Sequence, residues 1–374
     1  MNNENKVPKT LLVAAGGTGG HLFPALAVVE ALESLGNTNK FKFIFTGTPD
    51  RMESKILPGL GYNYYPLPIT GFKGIFSLQS YILPIKIIWS INRCIGIIKK
   101  HDCKALIAAG AYLSYPPAIA ASLCGIPVFL IESNVHPGKT NKILSRRAKI
   151  IFTSYDESAE HFPKEVRSKL KAYGNPLRNT FGNLPERSRA LQNFGLDDGR
   201  KTVLIFGGSL GARSINNAVK QSISGIESSK YQILWQTGNS FEKTGKLPDN
   251  IILLHFIDDM ASAYSAADLV VCRSGGTTVA ELAALGKPSV LIPLPTAAND
   301  EQSSNGKILA SHGAACIVKD SEILEKLFPL IDELIFDEVR LSDMANAAKE
   351  LGKPDAAKNI AKEIIKFLYL KNYS

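Results

Sequence analysis

A glycine cluster followed by a histidine stands near the start of the chain, between an apolar run and a helical pattern. Residues 10–22 read TLLVAAGGTGGHL, and apolar residues then recur at helical spacing. Glycines on both sides of Thr18 let backbone N–H groups approach a ligand at a helix N-terminus, where the helix dipole favours an anion. We therefore predict a strand, a phosphate-binding loop and a helix. His21 is a candidate general base, although a lone histidine also commonly packs or caps a helix.

Two further glycine turns follow the same pattern of apolar run, glycine and helix. Residues 202–213 read TVLIFGGSLGAR, about half the chain length after the first loop, and residues 272–282 read CRSGGTTVAEL. A single glycine cluster commonly serves only as a tight turn, but two in register favour two similar halves with phosphate-type loops. Repeated alternation of strand and helix predicts doubly wound parallel sheets. We expect an α/β protein of two Rossmann-like domains that face a central cleft, with the boundary near Asn175.

These turns suit a diphosphate ligand held by backbone amides and helix dipoles. The sequence contains no Asp-x-Asp pair and no His/Asp cluster at metal-ligand spacing, so no metal site is expected. Thr278 and Glu281 have the spacing of a capping box, in which both side chains cap a helix N-terminus. A carboxylate one turn into a helix at a nucleotide pocket could equally accept both hydroxyls of a ribose, and the sequence leaves the two interpretations open.

Composition and charge limit the class of protein. The 374 residues carry a formal net charge of +9, and 45% of them are hydrophobic, which is an ordinary globular composition for two or three domains. The positive charge favours an anionic partner, whether nucleic acid, a membrane surface or a phosphorylated substrate. Five cysteines without a CxxC pair suggest neither a disulfide framework nor a zinc site and fit a reducing cytosol. The N-terminal apolar run is too short for a signal peptide, so secretion is not expected.

One uncharged stretch, residues 105–131, is long enough to raise the question of a membrane span. Glycines and prolines break it into a strand at 105–109, a loop at 112–117, a helix at 118–124 and a strand at 128–131. We therefore expect this stretch to form buried α/β core.

A second apolar stretch, residues 71–100, is studded with lysine and arginine. One interpretation is a core helix whose basic residues line its wet face, and this suits most of residues 85–98. The other is an exposed apolar patch, ringed by basic residues, that dips into an anionic membrane surface. The candidate patch consists of Ile75, Phe76, Leu78, Tyr81, Ile82 and Trp89.

Two competing nucleotide-binding patterns are incomplete. Residues 138–140 read GKT, like the end of a Walker A motif, but Ser133 stands where the motif needs glycine and Pro137 removes a backbone N–H. A P-loop NTPase is therefore the weaker alternative. The first glycine loop also lacks the third small residue of the G-x-G-x-x-G pattern, so an NAD-dependent enzyme ranks below transfer chemistry.

Taken in order along the chain, the motifs resemble those of one known family. They are GGTGGHLFPA at 16–25, GNPLR at 174–178, FGGSLGAR at 206–213, FIDDM at 256–260, CRSG at 272–275 and TVAE at 278–281. This series resembles that of the MurG family, the peripheral membrane N-acetylglucosaminyltransferases of bacterial peptidoglycan synthesis. The resemblance implies a GT-B fold. It further implies an acceptor and membrane-associating domain at 1–175, a UDP-sugar-binding domain at 176–354, and a C-terminal helix at 355–370 that packs on the first domain.

The resemblance also implies which residues bind UDP-N-acetylglucosamine. Thr18, Gly19 and Gly20 would form the phosphate-type loop. Asn134 would lie near the donor sugar, Arg178 and Ser209 would contact the nucleotide sugar, the backbone of Ile257 would read the uracil edge, and Gln302 would bond the sugar hydroxyls. The diphosphate and ribose would be held by Gly276, Thr277, Thr278, Val279, Ala280 and Glu281.

The implied reaction is that of an inverting hexosyltransferase. It moves N-acetylglucosamine from UDP-GlcNAc to the 4-hydroxyl of the muramoyl unit of lipid I and forms lipid II, with His21 as candidate base and no cofactor. The implied partners are UDP-GlcNAc, lipid I (the undecaprenyl-diphosphate-linked muramoyl pentapeptide), an anionic membrane surface and further cell-wall-synthesis proteins, but no nucleic acid. The implied location is peripheral, on the cytoplasmic face of the bacterial inner membrane. A non-catalytic UDP-sugar-binding membrane scaffold is the alternative, and it predicts binding without turnover.

Overall fold

The computed structural model describes residues 8–36, 40–71, 78–242 and 245–370. Its strands are β1 (Lys9–Ala14), β2 (Phe41–Gly47), β3 (Asn63–Pro66), β4 (Cys103–Ala108), β5 (Val128–Glu132), β6 (Ile150–Thr153), β7 (Leu170–Lys171), β8 (Thr202–Phe206), β9 (Gln232–Gln236), β10 (Ile251–Leu254), β11 (Leu269–Cys272), β12 (Ser289–Leu291) and β13 (Ala315–Ile317). Its helices are α1 (Gly19–Gly36), α2 (Glu53–Gly59), α3 (Leu78–Lys100), α4 (Tyr115–Leu123), α5 (Lys139–Leu144), α6 (Arg187–Phe194), α7 (Arg213–Gln221), α8 (Ile223–Glu227), α9 (Met260–Ala266), α10 (Gly276–Leu285), α11 (Glu301–Ala310), α12 (Ile323–Leu334), α13 (Glu338–Leu351) and α14 (Ala356–Leu370).

The chain forms two compact units, each built on one parallel sheet. The first unit comprises Met1–Asn179 with Pro354–Ser374, and the second comprises Thr180–Lys353. Within the described ranges, the first sheet has the strand order β3-β2-β1-β4-β5-β6-β7 and the second has β10-β9-β8-β11-β12-β13. In both sheets the strand order reverses beside the unit's first strand, which is the doubly wound arrangement with a ligand-binding switch point at that place. The predicted α/β class with two Rossmann-like domains is confirmed.

The first unit takes its last helix from the far end of the chain. Ile360, Ile364 and Leu368 of α14 are buried in the same apolar cluster as residues of α1 and β1. The Lys171 ammonium lies 2.5 Å from a carboxylate oxygen of Glu363, which ties α14 to β7. The core of the first unit is therefore completed by a helix that follows the whole second unit in sequence.

In the second unit, a buried pair of polar side chains attaches α7 to the sheet. The Trp235 ring lies inside the core, and its Nε1–H donates to Oδ1 of Asn216 on α7 at 3.1 Å. Asn216 in turn donates through Nδ2 to the carbonyl oxygen of Thr237 at 2.8 Å. Because both Oδ1 and Nδ2 of Asn216 are hydrogen-bonded, the position of α7 relative to the sheet is fixed directly after the second glycine loop.

The uncharged stretch at 105–131 forms buried core, as predicted, and contributes β4, α4 and β5. The predicted loop at 112–117 is wrong over its second half, because α4 begins at Tyr115. Pro116 and Pro117 lie in the first turn of this helix, where backbone N–H groups have no intrahelical partner and proline removes no helix hydrogen bond.

Helix α3 exposes one apolar face. Cys94 and Ile97 are buried against the core of the first unit, whereas Tyr81, Ile85 and Ile88 are 71%, 69% and 60% exposed. The prediction that most of 85–98 is core is therefore wrong for Ile85 and Ile88, which the helical turn carries away from the buried face. Of the predicted patch, Tyr81, Ile82 and Trp89 are exposed, Leu78 begins the helix, and Ile75 and Phe76 lie outside the described residues.

Length and composition of α3 also meet the criteria for a membrane span. Within the part of the chain that the structure describes, the helical segment Tyr81–Lys100 is long enough and apolar enough to cross a bilayer. Only 22% of its most apolar stretch is buried inside the protein. The same helix packs on α4 through its buried face. It is therefore an element of the first unit that leaves an apolar surface uncovered.

Candidate active site

The first glycine loop lies between β1 and α1, at the switch point of the first sheet. Gly16 and Gly17 have φ values of 142° and 80°, a region that side-chain-bearing residues rarely adopt. The carbonyl oxygen of Thr18 accepts from the backbone N–H groups of His21 and Leu22 at 3.2 and 3.1 Å and thus starts α1. The predicted phosphate-type loop of Thr18, Gly19 and Gly20 therefore coincides with the N-terminus of α1, where the dipole favours an anion.

A buried carboxylate supports this loop from below. Glu53 is fully buried, and its Oε1 accepts from the backbone N–H and the hydroxyl of Thr48 at 2.9 and 2.7 Å. A Cβ atom on Gly16 would lie 2.3 Å from the carboxyl carbon of Glu53. A side chain on Gly16 would therefore have to displace the buried Glu53 carboxyl group and would also adopt an unfavourable φ. Sequence reasoning missed Glu53, because nothing local shows that α2 begins beneath the loop.

His21 is held in one orientation by the strand next to β1. Its Nδ1 lies 2.9 Å from the carbonyl oxygen of Ala109, the residue that follows β4. A carbonyl oxygen only accepts, so Nδ1 carries the proton and Nε2 carries the lone pair of the neutral ring. Burial lowers the pKa of His21 below its ordinary value, against the smaller opposing effect of this hydrogen bond. The geometry thus prepares a neutral imidazole whose Nε2 can accept a proton.

A second buried carboxylate organises the loop after β5. Glu132 accepts from the backbone N–H and side-chain amide of Asn134 at 3.0 and 3.2 Å through Oε1. Its Oε2 accepts from the Gly138 N–H at 3.0 Å and from Nδ2 of Asn141 at 2.9 Å. Burial raises the pKa of Glu132, and these hydrogen bonds oppose the shift. The predicted donor-sugar residue Asn134 is therefore positioned by Glu132, which sequence reasoning did not assign.

The contacts of Glu132 also argue against the alternative that residues 138–140 form part of a P-loop. A P-loop binds phosphate through the N–H groups of residues such as Gly138. Here the Gly138 N–H points at the buried Glu132 carboxylate, 3.0 Å away. Because this N–H is already donated inside the protein, the resemblance of residues 138–140 to a Walker A ending does not indicate a phosphate site.

Gly110 lies near both His21 and Asn141, which is one of the residues that donate to Glu132. A Cβ atom on this residue would lie 3.3 Å from Nδ2 of Asn141 and 3.4 Å from Nδ1 of His21. Asn141 reaches both the Glu132 carboxylate and the carbonyl oxygen of Ile131. His21 and Asn141 therefore both lie close to Gly110, in the loop that follows β4.

Arg178 belongs to the first unit, whereas Ser209, with which it was predicted to contact the nucleotide sugar, belongs to the second. Its guanidinium carbon lies 4.4 Å from the centroid of the Phe23 ring on α1. A planar guanidinium stacks well on an aromatic face. The structure thus places Arg178 beside the helix that carries His21.

The second glycine loop is closed by contact with the loop after β9. Gly211 has a φ of 77°, and a Cβ atom there would lie 2.0 Å from the carbonyl oxygen of Thr237. Gly238 has a φ of 80°, and its Cβ would lie 2.3 Å from the carbonyl oxygen of Leu210. The two backbones therefore meet with no room for a side chain. Ser209 lies at the tip of this closed loop.

Gln236 connects this loop to the predicted uracil-binding residue. Its Nε2 donates to the carbonyl oxygen of Gly208 at 3.0 Å, and its Oε1 accepts from the N–H of Ile257 at 2.9 Å. Ile257 follows β10, so one amide spans the loops after β8 and β10. Sequence reasoning missed Gln236, although its place at the carboxyl end of β9 was the available signal.

The start of α10 shows whether Thr278 and Glu281 form a capping box. The helix begins at Gly276 with Gly275 as its N-cap, and no side chain caps it. Thr278 is therefore inside the helix, and the capping-box interpretation is wrong. Glu281 lies in the second turn, and its Oε2 accepts from the Tyr264 hydroxyl at 2.8 Å. The Gly276 to Ala280 backbone thus forms the positive end of a helix with an oriented carboxylate behind it.

Gln302 lies at the start of α11 and is tied to both neighbouring loops. Its Oε1 accepts from the Leu294 N–H at 3.0 Å, and its carbonyl oxygen accepts from the Ser274 hydroxyl at 2.8 Å. The second unit therefore brings the loops that carry Ser209, Ile257, Gly276 and Gln302 to the carboxyl edge of one sheet. Across the described ranges, no group of three or more His, Cys, Asp or Glu side chains could hold a metal ion.

The closure at Gly211 leads to a sharp prediction for Gly211→Ala. The new methyl group meets the Thr237 carbonyl, and the positive φ is itself unfavourable by about 1–3 kcal/mol, so we expect a lower unfolding temperature. Gly225→Ala is the matched control, since nothing lies within 4 Å of its Cβ position and alanine suits a helix. Thermal unfolding followed by circular dichroism compares the two. Equal stability of both variants would contradict the closed loop.

Comparison with known proteins gives a consistent result over the full chain. Residues 11–153 match the N-terminal domain of glycosyltransferase family 28, and residues 202–360 match its C-terminal domain. A protein of Bacteroides fragilis is 36% identical over 381 residues, covering 98% of this chain and 99% of its own length. One of Bacteroides thetaiotaomicron is 37% identical over 372 residues, covering 97% and 98%. Both are named UDP-N-acetylglucosamine--N-acetylmuramyl-(pentapeptide) pyrophosphoryl-undecaprenol N-acetylglucosamine transferase.

The solved structures agree. The crystal structure of Acinetobacter baumannii MurG has a TM-score of 0.71 and 31% identity, and the match covers 96% of this chain and 100% of that one. A UDP-GlcNAc 2-epimerase from Neisseria meningitidis, bound to UDP-GlcNAc, shares the fold with a TM-score of 0.66 at 17% identity. The GT-B fold implied by the motif series is confirmed. With matches at this identity and coverage, the chain belongs to the MurG family of glycosyltransferases.

Proposed function

We propose that this protein transfers N-acetylglucosamine from UDP-GlcNAc to the 4-hydroxyl of the muramoyl unit of lipid I and so forms lipid II. The observation that carries the proposal is the likeness, at 36–37% identity and nearly full coverage, to relatives named for this transfer. The oriented neutral imidazole of His21 and the glycine loops at both switch points support it, because a transfer of this kind needs a base and a stabilised leaving group.

The second unit would bind the donor. In the proposed arrangement the α10 N-terminus, with the N–H groups of Gly276 to Ala280, faces the diphosphate, and Glu281 accepts from the ribose hydroxyls. The backbone N–H of Ile257 is already donated to Gln236. The carbonyl oxygen of Ile257 is therefore the group that would accept from N3–H of uracil. Gln302 accepts through Oε1, so its amide NH₂ would donate to a sugar hydroxyl. Ser209 adds a hydroxyl from the second glycine loop.

The first unit would supply the base. Nε2 of His21 takes the proton of the acceptor 4-hydroxyl while that oxygen forms a bond to the anomeric carbon of GlcNAc. The bond from the anomeric carbon to the β-phosphate oxygen breaks on the opposite face, UDP leaves with the electron pair, and the configuration inverts. The Thr18 to Gly20 loop is proposed as an anion-binding element and Asn134 as a contact to the donor sugar. Amides and helix dipoles stabilise the developing charge without reorganisation.

Release of UDP is the measurement that tests this function. We expect release from UDP-GlcNAc to require a lipid I analogue and to persist in excess chelator, because the proposed site uses backbone amides and dipoles for the diphosphate. Tight UDP binding without release would favour the membrane scaffold. Binding of ATP or NAD in place of UDP would show that the glycine loops have another ligand.

The proposed base makes a prediction about pH. Since burial lowers the pKa of His21 below 6.5, the neutral ring persists as the pH falls to that value, and the acid limb of kcat/KM should lie below pH 6.5. His21→Ala should lower kcat by about 10²- to 10⁴-fold. His312→Ala, which removes an exposed histidine of the second unit, is the control. Near-normal turnover of His21→Ala at saturating substrates would remove His21 from this role.

We also propose that the exposed face of α3 attaches the protein to an anionic membrane surface. The face carries Tyr81, Ile82, Ile85, Ile88 and Trp89, and its apolar side chains would lie at the headgroup boundary. Arg93 lies over the Trp89 ring at 5.1 Å, and Lys99 and Lys100 are exposed at the helix end. Basic groups near the surface add attraction to anionic lipids. Peripheral attachment on the cytoplasmic side, where lipid I would be met, is part of the same proposal.

Vesicle binding tests this attachment. The double variant Ile85→Ser/Ile88→Ser should reduce partitioning onto phosphatidylglycerol vesicles at least about tenfold, because two exposed isoleucines lose their burial in lipid. Leu324→Ser, which changes an exposed leucine of the second unit, should leave binding unchanged. Sedimentation with vesicles of phosphatidylglycerol and of phosphatidylcholine measures both effects. Equal binding of the double variant and the wild type would place the attachment elsewhere.

A further inference from the structure

Arg273 lies at the junction between β11 and the proposed diphosphate-binding helix α10. Its side chain is only 11% exposed, and its Nη1 lies 2.6 Å from Oδ1 of Asp320, whose side chain is 21% exposed. Asp320 follows β13, so this ion pair joins the loops after two strands of the sheet. A shielded charge of this kind requires its partner, because removal of either one leaves an uncompensated charge.

The same guanidinium reaches the helix behind the second glycine loop. Its Nη2 donates to the hydroxyl of Ser214 at 2.8 Å, and that hydroxyl donates to Oδ1 of Asp320 at 2.6 Å. Ser214 is the second residue of α7, directly after the loop that carries Ser209. Arg273, Ser214 and Asp320 therefore form a closed triangle of hydrogen bonds.

A third connection runs to the segment after β12. Nη1 of Arg273 lies 3.1 and 3.2 Å from the carbonyl oxygens of Ile292 and Pro293. The next residue, Leu294, donates its N–H to Gln302. Arg273 thus holds the two residues that directly precede Leu294, and the N–H of Leu294 orients Gln302, the proposed sugar-binding residue.

We propose that Arg273, with Ser214 and Asp320, is the positioning residue that holds the loops of the proposed donor site in register with one another. The inference rests on the proposed function for its effect on UDP-GlcNAc, but its structural content does not need that function. Arginine suits the role because its planar fork donates in several directions at once, whereas the ammonium of a lysine is a single point on a flexible stem. None of the three residues is assigned a contact with substrate.

The chain offers a matched control at the other end of the same strand. Asp268 lies directly before β11, and its Oδ2 accepts from Nη2 of Arg187 at 2.9 Å. This pair also joins distant segments of the second unit, but it lies at the amino edge of the sheet. Arg187→Lys therefore perturbs a comparable ion pair away from the proposed donor loops.

Hydrogen exchange of the nucleotide-free protein tests the positioning role directly. In Arg273→Lys we expect the backbone amides of residues 207–214, 274–278 and 292–296 to exchange about tenfold or more faster, while β9 and β10 keep their wild-type rates. Ser214→Ala should accelerate the same segments by a smaller factor. Arg187→Lys should leave all three segments at their wild-type rates.

Kinetics then measure the consequence for the donor. Loosened donor loops weaken ground-state and transition-state binding alike, so Arg273→Lys should raise the KM for UDP-GlcNAc about tenfold and leave kcat within about twofold. The KM for a lipid I analogue should not change. A fall in kcat at unchanged KM would contradict positioning of the donor and assign Arg273 to the chemical step.

Two other outcomes would overturn the inference. If the three segments exchange at the wild-type rate in both Arg273→Lys and Ser214→Ala, Arg273 does not hold them. Exchange that rises equally throughout the second unit would show a general contribution to stability. If the wild-type protein neither binds UDP nor releases it from UDP-GlcNAc, the proposed function fails, and the exchange measurements still decide the role of Arg273.

Discussion

Backbone contact without space for a side chain is the constraint on which the second unit depends. Gly211 lies against the Thr237 carbonyl and Gly238 against the Leu210 carbonyl, so the loops after β8 and β9 close on each other. Gln236, at the end of the strand between β8 and β10, donates to Gly208 and accepts from Ile257. The glycines thus do more than permit a turn. They bring the ends of neighbouring strands near enough for single side chains to connect them.

The first unit meets the same constraint with a different partner. There the glycine loop lies on the buried carboxyl group of Glu53, and a second carboxylate, Glu132, gathers the amides of the loop after β5. Carboxylates that accept several N–H or O–H groups fix a loop strongly, because an unmade hydrogen bond in a buried place is costly. The two sheets share the same order over six strands, yet their loops are supported differently, in the second unit by backbone contact and in the first by buried acids.

The parts of this architecture that the sequence predicts are those with local causes. An apolar run, a glycine cluster and a helical pattern lie within about twenty residues, so both switch-point loops were predictable. The supporting residues were not, since Arg273 and Asp320, or His21 and Ala109, are distant in sequence and meet only through the sheet order. Helix α3 shows the same limit, because apolar composition does not reveal which face the neighbouring helix covers. Pro116 and Pro117 misled for a local reason, as prolines suit a loop and a first helical turn equally well.

The placement of α14 has a consequence for how the protein is made. This helix supplies Ile360, Ile364 and Leu368 to the core of the first unit, yet it follows the second unit along the chain. A ribosome that adds 5–20 residues per second needs on the order of 10–40 s to pass from the end of the first segment to α14. During that interval the first unit is translated but incomplete, with the apolar surface that α14 later covers still open. The second unit, by contrast, is continuous in sequence and can fold first. The order of synthesis is thus the reverse of the order in which the two cores can be completed.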